Sequence, residues 1–200
     1  MPDSVILPAS PYRPDNKPGL SAICVYCGSS ETTRPDYLDL AGRVGAALAG
    51  RGLRMIYGGG SIGLMGRAAK ACHGAGGDVL GIMPRFLARK EIVLEDVPHR
   101  MVETMHERKH IMFVESDAFL VLPGGIGTLE EAIEMLSWRR LELHQKPIVF
   151  LAEDDFWAPL FHLLQHTIDA NLTPPAFRDV LLHASSVDDA LAAIEARVTD

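Results

Sequence analysis

Short apolar runs alternate with longer amphipathic segments along most of the chain. SAICVYC, LRMIY, DVLGIMP, DAFLVLP and PIVFLA are apolar over most of their length, as strands buried on both faces of a parallel sheet are. Longer segments separate them, and PDYLDLAGRVGAALAGRG places Leu38, Val44 and Leu48 at helical spacing. Shorter strands are expected near 101–103 and at VLLHA. The pattern predicts an α/β fold: a single doubly wound, Rossmann-like domain with a mostly parallel sheet and helices on both faces.

The chain of 200 residues, 48% of them hydrophobic, has the size of one domain with a sizeable core. Its first nineteen residues hold five of the thirteen prolines, so we expect a flexible, proline-rich arm over 1–20 and one domain over 21–200. The chain starts without a basic region and apolar stretch of the signal-peptide type, and no run is apolar enough to span a bilayer. A cytoplasmic protein without membrane contact is therefore expected.

Charge and cysteine content narrow the possible partners. A net charge of -7 argues against nucleic acid as a partner, because phosphate backbones are bound by clustered Lys and Arg. Any bound phosphate should be small and held locally. Cys24 and Cys27 could form a redox or zinc pair, but they lie in a strand-like run and no second pair completes a metal site. We expect them, and Cys72, to be buried free thiols.

Two glycine-rich loops follow predicted strands. YGGGSIGLMG follows the second strand, and PGGIGT follows the strand that ends at Leu122. Glycine allows the backbone to approach a ligand closely, and the free N–H groups at a helix start attract anions. A single loop of this kind is as well explained by a tight turn, but two at the carboxyl edge of one sheet favour cradles for phosphate or ribose.

The loop at 123–128 runs directly into two glutamates. Thr128 and Glu131 have the spacing of a capping box, a structural arrangement that needs no function. Capping does not call for Gly124, Gly125 and Gly127, however. A carboxylate beside a bound anion needs nearby cations, and Arg108 and Lys109 of the preceding helix are available. The expected constellation is an anion cradle, a carboxylate and a guanidinium.

This constellation suits cleavage of the bond between ribose and base. An anionic carboxylate stabilises an oxocarbenium-like state while it activates water or attacks the anomeric carbon. Arginine stays protonated near neutral pH, so it clamps phosphate or stabilises charge and does not act as an acid. Phosphoryl transfer is less well matched, because the sequence has no P-loop motif. The constellation requires neither a metal nor a cofactor.

Gly58-x-Gly60-x-x-Gly63 formally matches the dinucleotide fingerprint of nicotinamide-dependent oxidoreductases. That fingerprint needs an acidic residue at the end of the following strand, where it holds a ribose hydroxyl. Asp78 has the right distance along the chain but precedes the strand DVLGIMP instead of ending it. The match also belongs to the second strand and not to the first, so an oxidoreductase is disfavoured.

HERKH, residues 106–110, has the spacing of a helical zinc motif in which Glu107 would be the base. Glu131 could be proposed as a third ligand, which would make a metallopeptidase. Arg108 and Lys109 would then place two cations beside the proposed dication, and the glycine loops would have no role. The zinc interpretation is therefore disfavoured as well.

Four motifs carry a resemblance to a known family. CGSS at 27–30, YGGGSIGLMG at 57–66, MHERK at 105–109 and PGGIGTLEE at 123–131 resemble the signatures of the LONELY GUY family, the cytokinin-activating phosphoribohydrolases often mislabelled lysine decarboxylases. The resemblance runs from about residue 21 to near the C-terminus. It implies hydrolysis of N6-modified adenosine 5'-monophosphates, and often AMP, to free base and ribose 5-phosphate. It also implies a homodimer with sites near the subunit interface.

Carried over by position, the resemblance assigns catalysis to Arg108 and Glu131. It implies that the other site residues bind substrate. Most of them lie in the four motifs, one lies in the polar stretch after the third strand, and one lies on the helix after the second glycine loop. These residues are Ser29, Gly58, Gly59, Gly60, Glu91, Met105, Lys109, Gly124, Gly125, Ile126, Gly127, Thr128 and Ser137. Ile126 stands where the family pattern has tyrosine or phenylalanine, so this chain offers no aromatic side chain at that position.

Two further possibilities are linked to the family. Proteins of similar fold act as non-catalytic nucleotide-binding proteins or molybdenum-cofactor carriers, in which the same cradle would bind without turnover. The presence of both Arg108 and Glu131 favours the enzyme. Lysine decarboxylation is disfavoured because the sequence shows no clear lysine for pyridoxal phosphate, and Lys109 beside an anion loop is better explained by phosphate.

Overall fold

A computed structural model describes residues 19–88, 94 and 96–198 of the chain. Strands and helices alternate through these residues. The strands are β1 (Ala22–Tyr26), β2 (Arg54–Tyr57), β3 (Val79–Pro84), β4 (His99–Val102), β5 (Ala118–Val121), β6 (Ile148–Leu151) and β7 (Leu182–Ala184). The helices are α1 (Pro35–Gly50), α2 (Gly63–Gly74), α3 (Met105–Val114), α4 (Ile126–Arg140), α5 (Ala158–Asp169) and α6 (Val187–Val198), with a 3₁₀ turn at Pro175–Val180.

The strands form one parallel sheet in the order β4-β3-β2-β1-β5-β6-β7. From β1 the chain steps outward through β2 and β3 to β4, and then returns to the other side of β1 to form β5. Ile23 of β1 thus pairs with Met55 on one side and with Ala118 on the other. The direction of winding reverses between β1 and β5, and sheets of this class bind ligands in the crevice at that point.

The core divides into two clusters, one on each face of the sheet. Along β1, Ile23 and Val25 join the cluster that α1, α2 and α6 cover, whereas Cys24 and Tyr26 join the cluster that α3, α4 and α5 cover. This alternation follows from the period of two along a strand. Because both faces are covered, the five inner strands are buried almost throughout, which explains their continuous apolar sequence. The predicted doubly wound α/β fold is confirmed.

Several smaller expectations can be compared with the structure. Cys24, Cys27 and Cys72 are free and buried, as predicted. β4 begins two residues earlier than the expected 101–103. None of the helices within the described ranges is long and apolar enough to cross a membrane. The proline-rich arm falls mostly on residues 1–18, outside the described part of the chain, so the division at residue 20 stays a prediction.

Candidate active site

A cavity of about 540 Å³ opens at the carboxyl edge of the sheet, at the point where the winding reverses. The loops that follow β1, β2, β5 and β6 form its walls, together with the first residues of α1, α2, α3 and α4. Arg108 and Glu131 both line it, as do the residues of the second glycine loop. The structure therefore brings together the loop, the carboxylate and the guanidinium that the sequence singled out.

The N-terminus of α4 has no side-chain cap. Gly125 is the extended N-cap residue, and the N–H of Leu129 donates the first helical hydrogen bond to its carbonyl, at 3.0 Å. Thr128 is therefore the third residue of the helix, and the capping box expected at Thr128 and Glu131 is wrong. The helix starts two residues earlier because Gly125 itself adopts the N-cap conformation. The N–H groups of the first turn consequently lack acceptors within the helix, and that turn lines the cavity.

The glycines of this loop serve different purposes. A Cβ atom on Gly124 would lie 2.2 Å from Thr128 Oγ1 and 2.9 Å from the amide nitrogen of Gly28, so this position must be bare for the loop to close on β1. The same junction is held by the Gly28 N–H, which donates to the Pro123 carbonyl at 3.0 Å. At Gly125 and Gly127 a Cβ atom would meet nothing within 4 Å. These two glycines leave backbone exposed to the cavity instead.

Arg108 and Glu131 form a buried ion pair across the cavity floor. Arg108 Nη2 lies 3.4 Å from Glu131 Oε1, and the two side chains are only 10% and 11% exposed. At this separation the guanidinium and the carboxylate attract each other without a short hydrogen bond. Arg108 Nε is buried and, among the described residues, has no hydrogen-bond partner. The pair thus retains donor and acceptor capacity that a ligand in the cavity can use.

A threonine N-cap does occur, but it begins α3. The Glu107 N–H donates to Thr104 Oγ1 at 3.0 Å, and Glu107 Oε2 accepts from the backbone N–H of Glu103 at 2.9 Å. Thr104 and Glu107 therefore fix the start of α3 at Met105, three residues before Arg108. The position of the helix start determines the direction in which the Arg108 side chain projects from α3.

Gly58 makes room for the guanidinium. A Cβ atom at this position would lie 2.2 Å from Arg108 Nη2 and 2.9 Å from Met65 Sδ. Gly58 is the first glycine of its loop, and it also lines the cavity. The absence of a side chain at Gly58 therefore allows Arg108 to occupy its position.

Burial raises the pKa of Glu131 to about 6. The carboxylate loses hydration on entering the cavity floor, which disfavours its charged form, and this is the largest cause. Arg108 acts in the opposite direction as the second cause, and smaller effects come from Glu130, Lys109 and Glu134. Glu131 is consequently ionised above about pH 6 and can act as a base or nucleophile near neutral pH.

The first glycine loop differs from the second in what its helix amides bind. The N–H groups of Leu64 and Met65, at the start of α2, donate to the Gly28 carbonyl at 3.0 and 3.3 Å. These donors therefore hold the β1 loop in place. Gly59 and Gly60 are buried away from the residues that line the cavity, and Gly59 packs against His99. Of the three glycines expected to bind substrate, Gly58 alone lines the cavity in the part of the chain that the structure describes.

The remaining expected residues separate into two groups. Ser29, Met105 and Ile126 line the cavity, and Ile126 is 84% exposed. Ser137 lies on an exposed part of α4 beyond the cavity, and Lys109 contacts glutamates on α4 instead of the cavity. Glu91 lies outside the described residues. Its role, like that of the others, stays a prediction.

Sequence reasoning missed one wall of the cavity. Arg34 and Tyr37, at the start of α1, and Phe156, after β6, line the cavity mouth. The rings of Tyr37 and Phe156 meet edge to face at 5.6 Å, and the Tyr37 hydroxyl donates to Asp154 Oδ2 at 2.7 Å. The signal was available: β1 and β6 end at the same edge of the sheet as β5, so the loops after them belong to the same crevice.

The geometry also bears on two alternatives. Within the described ranges, no three His, Cys, Asp or Glu side chains are grouped so that they could hold a metal ion, and His106 of HERKH is exposed. Lys70, Lys109 and Lys146, the lysines in the described residues, do not line the cavity. No described amine is therefore placed in the cavity for a Schiff base with pyridoxal phosphate.

Comparison with known proteins gives one family and one fold. A family model described as "Possible lysine decarboxylase" matches residues 65–194. Cytokinin riboside 5'-monophosphate phosphoribohydrolase LOG5 of Arabidopsis thaliana is 42% identical over 175 residues, which are 87% of this chain and 77% of the relative. The enzyme LOG of Oryza sativa subsp. japonica, which carries the same functional name, is 38% identical over 179 residues, 89% of this chain and 74% of the relative.

The solved structures share the fold. The molybdenum cofactor carrier protein of Chlamydomonas reinhardtii superposes with a TM-score of 0.69 at 22% identity, covering 90% of this chain and 99% of that one. The molybdenum cofactor binding protein of Rippkaea orientalis superposes with a TM-score of 0.65 at 26% identity, covering 90% and 98%. The sequence relatives are thus more similar to this chain than these two structures are.

Proposed function

The chain belongs to the LONELY GUY (LOG) family, and we propose that it is a phosphoribohydrolase that cleaves the N-glycosidic bond of cytokinin riboside 5'-monophosphates. The products are the free base and ribose 5-phosphate. The relatives that support this proposal are named for the same reaction. The observation that carries it is the buried pair of Arg108 and Glu131 in one cavity with the uncapped start of α4. We extend the proposal to AMP, which differs from those substrates only at N6.

The start of α4 is the proposed phosphate site. Its first N–H groups have no acceptor within the helix, no side chain caps them, and the helix dipole adds to their attraction for an anion. Gly125 and Gly127 bring no side chain between that backbone and the ligand. A phosphate held here positions the attached ribose, so that binding energy from an unreactive group assists the reaction at the sugar.

Glu131 is the proposed reactive group. It lies on the second turn of the helix whose first turn holds the phosphate, so the ribose of a bound nucleotide reaches from one to the other. The ionised carboxylate stabilises positive charge at the anomeric carbon and either activates water or attacks that carbon. Arg108 holds the carboxylate in place from the opposite side of the cavity and offers its remaining donors to the substrate.

A carrier of molybdenum cofactor is the second candidate, because the solved structures named above superpose well. At 22% identity such a superposition indicates the fold. The greater identity to the phosphoribohydrolases and the presence of the Arg108–Glu131 pair in the cavity favour the enzyme.

Turnover should depend strongly on the 5'-phosphate. We expect kcat/KM for adenosine to be at least about 100-fold below that for AMP, because adenosine loses the contact that positions its sugar. Free adenine is measured by chromatography with both substrates at equal concentration. Ribose 5-phosphate should inhibit the reaction, whereas ribose serves as the matched control and should not. Equal rates with adenosine and AMP would contradict the proposed phosphate site.

We further propose a homodimer, as the family resemblance implies. Apolar side chains exposed along α4 and the turn after it support this proposal: Ile126, Ile133, Leu141 and Leu143 are between 40% and 84% exposed. Light scattering after size exclusion should give about twice the mass of one 21.8 kDa chain. A mass that stays at that of one chain at micromolar concentration would rule the dimer out.

A further inference from the structure

Three carboxylates crowd one side of α4. Glu130 and Glu134 flank Glu131, and positions 130 and 134 lie one helical turn apart on the same face. Glu134 Oε2 is buried and has no hydrogen-bond partner among the described residues. Like charges this close oppose the ionisation of each other, so a cation is needed if Glu131 is to carry its charge near neutral pH.

Lys109 meets this need from the neighbouring helix. Its Nζ lies 2.5 Å from Glu130 Oε1 and 3.0 Å from Glu134 Oε1, and its side chain is 13% exposed. Arg108, one residue earlier on α3, points to Glu131. Two consecutive cations of α3 therefore bind three carboxylates of α4, and each cation has its own partners.

We propose that Lys109 is a positioning residue for the hydrolysis: it neutralises Glu130 and Glu134, holds α3 against α4, and thereby keeps Glu131 charged and in contact with Arg108. This role rests on the proposed function. It replaces the direct phosphate contact that the family resemblance implies for Lys109. The replacement follows from geometry, since both contacts of its ammonium group are carboxylates and it does not line the cavity.

The groups that face Glu131 come from three elements. α3 contributes two cations, α4 contributes two carboxylates, and β1 with the residue that follows it contributes two thiols and a phenol; they are Arg108, Lys109, Glu130, Glu134, Cys24, Cys27 and Tyr26. Burial raises the pKa of each thiol and of the phenol, so all three are neutral near pH 7. Besides burial, the pKa of Glu131 therefore depends on the four charged groups on α3 and α4.

Removal of the Lys109 charge should raise the pKa of Glu131. Glu130 and Glu134 both raise that pKa and Lys109 lowers it, so loss of Lys109 leaves the two carboxylates uncompensated. Since the ionised form of Glu131 is the active one, the rate falls as pH drops through its pKa. The acidic limb of the pH–rate profile must then move to higher pH.

The experiment measures kcat/KM for AMP against pH in the wild-type enzyme and in four variants. Wild type should lose activity below about pH 6. In Lys109→Met the acidic limb should move up by about 0.5 to 1 pH unit, the size expected of a nearby charge that is partly screened. Lys109→Arg is the matched control and should keep the wild-type limb. The titration of the AMP phosphate is common to all enzymes and cancels in the comparison.

The third variant combines Lys109→Met with Glu134→Gln and should move the limb back toward that of wild type, because one uncompensated charge is gone. Glu134→Gln alone should move it below the wild-type limb, and this variant keeps the test valid if Lys109→Met does not fold. An active wild-type enzyme whose limb does not move in either single variant would overturn the role of Lys109. A KM for AMP raised more than about tenfold in Lys109→Met with an unmoved limb would assign Lys109 to phosphate instead.

These outcomes are distinct from failure of the proposed function. If wild-type protein releases no base from any nucleoside monophosphate, the hydrolase proposal fails first. The position of the Glu131 titration can then still be followed by carbon NMR of the labelled carboxyl group. An identical titration in wild type and in Lys109→Met would overturn the electrostatic role without reference to activity.

Discussion

Glu131→Gln is expected to abolish release of free base while nucleotide binding stays within about tenfold of wild type. Glutamine keeps the shape and one acceptor oxygen for Arg108, but it carries no charge to stabilise an oxocarbenium-like state and cannot act as base or nucleophile. We expect kcat to fall by at least about 1000-fold, the order found when a reacting group is removed. Chromatography of the free base from AMP or isopentenyladenosine monophosphate measures the rate, and calorimetry measures binding.

A control of the same chemical type is Glu142→Gln. Glu142 lies in the turn after α4, exposed and beyond the cavity, so its neutralisation should leave the rate unchanged. Thermal unfolding of both variants checks that neither loses its fold. Undiminished turnover in Glu131→Gln would refute the assignment of Glu131 as the reactive group.

Gly58→Ala should also reduce kcat strongly, by about 100-fold, because it displaces the Arg108 guanidinium. The new Cβ atom would lie 2.2 Å from Arg108 Nη2, and the free end of that flexible side chain would have to move. The backbone at Gly58 is not in the left-handed region, so alanine is tolerated there without strain. Misplacement of a catalytic group by about 1 Å typically costs rates of this order. The pH–rate profile and the melting temperature should be measured with kcat.

Gly74→Ala is the matched control for this substitution. Gly74 ends α2, and a Cβ atom there would meet nothing within 4 Å. It should leave kcat unchanged and preserve or slightly raise the melting temperature, because alanine favours helix over glycine. Wild-type kcat in Gly58→Ala would show that the position of Arg108 against Glu131 does not matter for the reaction.

The fold could be predicted from the sequence because its strongest signals are local. Strands buried on both faces are continuously apolar, and the segments SAICVYC and DAFLVLP show this pattern. The contact between Arg108 and Glu131 was also predictable, since consecutive elements of a parallel sheet bring their loops to one edge. The functional roles of the two residues stay predictions.

The start of α4 shows why other details could not be predicted. Thr-x-x-Glu occurs at 104–107 and again at 128–131, and only in the first is the threonine an N-cap residue. Sequence spacing alone does not tell an N-cap residue from the third residue of a helix, because Gly125 can serve as N-cap as well. The choice is made by tertiary contacts, here the contact of Pro123 and Gly124 with Gly28 of the loop after β1.

The family resemblance implies a substrate contact for Lys109, whereas its ammonium group contacts Glu130 and Glu134 in the structure. Adjacent residues on a helix point in directions about 100° apart, so they meet different partners. Which partner each one meets depends on where α4 packs against α3, and no local pattern contains that information. The wall of Tyr37 and Phe156 could be assigned to this edge from the parallel strands β1 and β6, but the edge-to-face contact of the two rings could not.

The position of a bound nucleotide is tested most directly by a crystal structure of the Glu131→Gln variant with AMP. The phosphate should lie on the N–H groups of residues 126–128, and the anomeric carbon should lie about 3 to 3.5 Å from the side chain at position 131. A phosphate bound elsewhere, or a ribose that the side chain at position 131 does not approach, would contradict the proposed reaction.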